Sequence, residues 1–174
     1  MDTRYPIGRF QAPDEITHDI RHEWITAIAI LPRQVRELVR DMSEAQIDSP
    51  YRAGGWTVRQ LVHHLPDSHM NAYSRMRLAL TEEEPVIKPY DEAKWAELPD
   101  ARTMPVEPSL DLLTALHSRW VTLLRSLGDA DFDRAFVHPD LGRKTISETT
   151  GLYAWHGRHH LAHIRMVRGL TAYA

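Results

Sequence analysis

The chain has 174 residues, a formal net charge of −3, 43% hydrophobic and 26% charged residues, eleven histidines and no cysteine. Such a length and apolar content suit one soluble domain, here expected to span 1–174, and the mild acidity argues against a nucleic-acid or anionic-membrane surface. The missing cysteines exclude disulfides, a thiol nucleophile and cysteine-based metal sites, so any metal would be held by His, Asp or Glu.

Residues 1–13 contain Pro6, Gly8 and Pro13 and read as an irregular arm, without the apolar stretch of a signal peptide. From Asp14 the apolar residues Ile16, Ile20, Trp24, Ala27, Leu31, Val35, Leu38 and Met42 recur every three or four positions, which predicts a first helix ending before Ser49-Pro50. Pro32 lacks a backbone donor and predicts a kink or break near Leu31. A second helix opens at Thr57-Val58-Arg59-Gln60, a capping box, and carries Leu61, Leu65, Met76 and Leu80 on one stripe, with Pro66 inside it.

Residues 82–108 hold three consecutive glutamates and several prolines. They read as a long crossover with one helical turn around Glu92–Leu98. A third helix is predicted from Ser109 as N-cap, through Leu112, Leu116, Trp120, Leu123 and Leu127, to Gly128 as its closing glycine. Phe136–Ile146 reads as a small hairpin around Pro139-Asp140-Leu141-Gly142. Thr145-Ile146-Ser147-Glu148 is a second capping box, and it starts a fourth helix that runs to about Gly169. Four long helices predict an all-α four-helix bundle, a fold whose core can carry a metal on facing helices. No apolar run approaches the roughly 20 residues of a membrane span.

Seven of the eleven histidines fall in two clusters, His63-His64 with His69, and His156 with His159, His160 and His163. Imidazoles four residues apart on a helix can chelate one ion. The fourth helix has two such pairs, His159/His163 and His156/His160. The first shares its stripe with Leu152, Trp155, Ala162, Met166 and Leu170 and is preferred as the inward-facing pair. On the second helix His64 lies beside the Leu61/Leu65 stripe, whereas His63 points elsewhere and can pair with Asp67. One His from the second helix and two from the fourth make three neutral ligands, leaving positions open to activate water. Asp67, one turn after His64, is the candidate to orient a ligand or take a proton. The pair His18/His22 reads as solvated, His117 and His138 as surface or loop residues, and Trp24, Trp120 and Trp155 as core.

The run Tyr51-Arg52-Ala53-Gly54-Gly55-Trp56-Thr57-Val58-Arg59-Gln60-Leu61-Val62-His63-His64 resembles the DinB-like superfamily and, within it, the YfiT-type metal-dependent hydrolases. Asp67-Ser68-His69-Met70-Asn71-Ala72-Tyr73, Pro89-Tyr90-Asp91-Glu92, Gly151-Leu152-Tyr153-Ala154-Trp155-His156 and Tyr5-Pro6-Ile7-Gly8 fit the same group, whereas Pro66 departs from its pattern. The resemblance implies a four-helix bundle with one divalent ion, zinc or nickel, on His64, His159 and His163. It also implies a cytoplasmic homodimer acting on a small molecule. Other superfamily members resemble thiol-dependent S-transferases that work with bacillithiol, mycothiol or glutathione, which gives a second expectation. A non-catalytic metal-binding stress module is a third.

Overall fold

The computed structural model describes residues 2–172. Its long helices are α1 (His18–Val39), α3 (Val58–Thr81), α6 (Glu107–Arg125) and α8 (Ile146–Val167). Between them lie the short helices α2 (Glu44–Ile47), α4 (Glu92–Trp95), α5 (Pro99–Thr103) and α7 (Asp129–Phe132), and the strands β1 (Ala135–His138) and β2 (Gly142–Thr145). Helix α1 packs against α6 and α8, and α3 packs against the same two. The bundle is therefore a square with α1 and α3 on one diagonal; the links that skip a neighbour are residues 40–57 and 126–145, whereas the long crossover joins the adjacent α3 and α6.

Both capping boxes form. Thr57 accepts from the Gln60 amide while the Gln60 side chain accepts from the Thr57 amide, and Thr145 and Glu148 repeat the arrangement. The hairpin pairs Ala135 with Thr145 through His138 with Gly142, and Gly142 turns at a φ of 72°, where a side chain would be strained.

Several expectations shift. Helix α1 starts at His18 behind the cap Thr17, not at Asp14, and it runs through Pro32 without a break. The third helix starts at Glu107, with Pro108 in its first turn, so Ser109 is not its cap. Gly128 has a φ of −88° and precedes α7 rather than closing α6. Leu112 is exposed, and the buried face of α6 is instead Leu110, Leu113, Leu116, His117, Trp120, Val121 and Leu124. The crossover holds α5 as well as the expected turn, pinned by Arg59. This buried guanidinium donates to Glu44 of α2, to Asp48 just after it and to the Met104 carbonyl. A charged group buried on three partners is a rigid clamp, because an unmatched guanidinium there would be costly.

Helices α1 and α8 approach closely at two glycines. A Cβ on Gly151 would stand 2.7 Å from the Trp24 ring, and one on Gly157 2.6 Å from Leu31. The core divides into two apolar clusters. One contains Ile28, Met76, Trp120, Phe136 and Tyr153, and the other Leu31, Leu61, Leu65, Leu113 and Ile164. Along α3, α6 and α8 the change from one cluster to the other falls near histidines, whereas on α1 it falls between Ile28 and Leu31.

Candidate metal centre

The layer between the two apolar clusters is built from imidazoles. His64 and His69 come from α3, His117 from α6, and His156 and His160 from α8. His69 and His117 are 0% and 1% exposed, so the surface or loop reading of His117 is corrected. Its position was visible in the sequence, four residues after Leu113 and three before Trp120. That is a core slot, which the choice of Leu112 as a stripe residue obscured.

Three ring nitrogens converge at the centre of this layer. His156 Nε2 lies 3.2 Å from His64 Nε2 and 3.2 Å from His160 Nε2. One donor atom of each residue lies within 4.8 Å of those of the other two. Burial pushes the His64 imidazole down to about 4. It also holds His156 and His160 well below the ordinary histidine value, with the neighbouring imidazoles adding to the effect. Neutral rings offer lone pairs, so near pH 7 a cation finds ligands that need not first lose protons. The Trp56 ring covers His64 at 4.8 Å between centroids.

The sequence places His159 and His163 with His64; the structure does not bring these three donors together. His159, His160 and His163 form a second group of close donors, one helix turn on α8 that faces the N-terminal arm. His159 stacks on Trp155 and lies near Tyr5, and His163 stacks on Tyr51 at 3.9 Å between centroids. His163 Nδ1 is 3.4 Å from His160 Nδ1, on the side of that ring opposite its Nε2. Burial pushes both His159 and His163 to about 4. Trp155 is half-buried, and its indole N–H donates to the Gly8 carbonyl, so it anchors the arm rather than the core.

Asp67 also lies apart from the convergent nitrogens. Burial, and then the Asp100 carboxylate, raise its pKa to about 6. Among the described residues no hydrogen bond joins its carboxylate to a histidine. The expected pairing with His63 is replaced by contacts of His63 Nδ1 with the Ser109 hydroxyl at 2.7 Å and of Nε2 with the Met104 carbonyl at 3.2 Å. His18 and His22 stack on one another in solvent.

A cavity of about 900 Å³ reaches His156, and Ser68, Tyr90, Tyr153, Arg75 and Lys144 are among its lining residues. Ser68 Oγ donates to Tyr153 Oη at 3.4 Å. A larger groove of about 1030 Å³ between the arm, α1 and α8 has no histidine in its wall and stands apart from this chemistry.

The fold and the histidine layer define a helical-bundle protein with a nitrogen-only candidate metal centre. The chain belongs to the DinB superfamily, whose family model matches residues 27–164. Among individual proteins it is 57% identical over 164 residues to an Oceanobacillus iheyensis protein named "Putative metal-dependent hydrolase", covering 94% of this chain and 95% of that one. A Bacillus mycoides protein of the same name is 53% identical over 167 residues, 96% of each chain. The solved structure of YfiT from Bacillus subtilis, described as "a probable metal-dependent hydrolase with an unusual four-helix bundle topology", superposes with a TM-score of 0.94 at 46% identity. That match covers 98% of this chain and 99% of YfiT.

Proposed function

We propose that this chain is a metal-dependent hydrolase of small molecules, its divalent ion held by His64, His156 and His160. The observation that carries the ligand set is the convergence of three Nε2 atoms from two helices, those of buried His64 and His160 and half-buried His156, beside a cavity. Three imidazoles suit zinc or nickel and leave positions open for water or substrate. When bound, such an ion supplies Lewis acidity and brings the pKa of coordinated water toward 7. The protein's own groups do the rest. His156 faces both the ion site and the cavity. Ser68, Tyr90 and Tyr153 present hydroxyls to a substrate there, and Trp56 shields His64 from solvent. Asp67, which the sequence singles out as a base, is not among the residues lining this cavity and is given no part in this reading. The cytoplasmic homodimer implied by the family resemblance is part of this reading.

The test is metal analysis of purified protein with a hydrolysis screen of esters, amides and lactones. Wild type should hold one equivalent of zinc or nickel, and His156→Ala should lose it while His159→Ala keeps it. Loss only in His159→Ala would return the ligand set to His64, His159 and His163. Turnover that strictly required an added low-molecular-weight thiol would reassign the chemistry to an S-transferase.

A further inference from the structure

His69 and His117 have no role in the site so far, yet both are fully buried and joined end to end with it. His117 Nδ1 lies 2.6 Å from the Ile28 carbonyl oxygen, and His117 Nε2 lies 2.8 Å from His69 Nδ1. His69 Nε2 in turn lies 3.1 Å from His156 Nδ1. The Ile28 carbonyl is available because Pro32, four residues on, has no N–H to give it.

A carbonyl oxygen only accepts, and that one fact sets every proton behind it. His117 must carry its proton on Nδ1 to donate to Ile28, so its Nε2 is a bare lone pair. That lone pair takes the proton on His69 Nδ1, which leaves His69 Nε2 bare. His69 Nε2 then takes the proton on His156 Nδ1, which leaves His156 Nε2 bare. No carboxylate approaches His69 or His117 within hydrogen-bonding distance among the described residues, and burial without a counter-ion disfavours a charged ring. Each ring therefore has one proton, and the chain runs in one direction.

We infer that His117 and His69 are positioning residues. From the Ile28 carbonyl they fix the tautomer of His156, so that its Nε2 lone pair is presented to the ion site before any ion arrives. This rests on the ligand set proposed above, but the tautomer can be read without metal. Outer hydrogen bonds to ligating histidines orient the ring and raise its basicity, and losing one typically costs about 10–100-fold in metal affinity.

Long-range proton–nitrogen correlation spectra of metal-free, ¹⁵N-histidine-labelled protein test the inference. His117, His69 and His156 should each be protonated on Nδ1 alone. Nε2 protonation of His156, or a doubly protonated His69, overturns it. In His117→Phe the terminal donor is gone and His69 can reverse. His156 should then become a mixture of tautomers, and zinc affinity should fall about 10–100-fold. His117→Gln, which can still donate to Ile28 and accept from His69, should recover most of both. A folded His117→Phe with the wild-type His156 spectrum also overturns the inference. Should His117→Phe fail to fold, the wild-type spectrum alone decides. If the wild type shows the three Nδ1 protons but its metal proves to sit elsewhere, the ligand reading fails and the tautomer chain stands.

Discussion

Helix α8 carries two histidine pairs of identical spacing, one turn apart, and they do different things. His156/His160 turn into the bundle toward His64, whereas His159/His163 turn toward Tyr5 of the arm and Tyr51 of the link between α2 and α3. Spacing is therefore permission for chelation and nothing more. What separates the pairs is which lone pairs meet a third donor from another helix. The usual guide, the apolar stripe, fails on α8 because the helix is buried nearly all round, on Ser147, Thr149 and Gly151 as well as on Ala154, Leu161 and Ile164. A helix with two buried faces has no single inward direction to read.

The comparison is broken most directly by exchanging the pairs' fates. His64→Ala, like His156→Ala, should abolish stoichiometric metal, while the double variant His159→Gln/His163→Gln should retain an equivalent. Metal analysis and titration calorimetry check this. A smaller effect follows from the contact of His163 Nδ1 with His160. His163→Ala alone should keep the ion but weaken it by up to about 10-fold, because it removes a support behind a ligand. Equal losses in His163→Ala and His156→Ala would erase the distinction between the pairs.

Acidity acts on both pairs at once. His64, His117, His159 and His163 are each lowered by burial to about 4. Unfolded histidine takes up a proton near 6.5. Between about 6.5 and 4 the unfolded chain binds more protons than the folded one, so stability is full above that window and falls as pH drops through it. Metal-free protein should lose thermal midpoint steadily from pH 7 to pH 5, and bound zinc should postpone the loss, as scanning calorimetry at several pH values would show. A flat profile would mean that the layer is open to water. The least local change is Gly157→Ala, one residue beyond His156. Its Cβ would press on Leu31, and overpacking of this kind costs about 1–3 kcal/mol. Denaturant melts should show that loss with metal still bound.

How much of this could be read from the chain depends on whether the signal is local. Thr57 with Gln60 and Thr145 with Glu148 announce two helix starts by chemistry confined to four residues, and both are where the sequence puts them. The hairpin at Gly142 is legible for the same reason, and so is the family. Helices α5 and α7 are a single turn each, without a side-chain cap of their own to announce them. Their existence depends on what they pack against, and Arg59 reaching the Met104 carbonyl is invisible at a separation of 45 residues. The histidines show the same limit more sharply. His64 can be picked from its neighbours, but its partners are set by the rotation of α8 against α3. His117 is recognisable only when Leu113 and Trp120 are taken as its frame.

Pro32 appears first as a fault in a helix. In the folded molecule the hydrogen it lacks acts as a terminus, comparable to the surface of an ice crystal that orients every water behind it. The orientation passes through four residues on four helices without any charge moving. A substitution at position 32 that merely improves helix propensity would reinstate a competing donor at the head of that row. Its consequences would surface at an imidazole three hydrogen bonds further on, at His156 of α8.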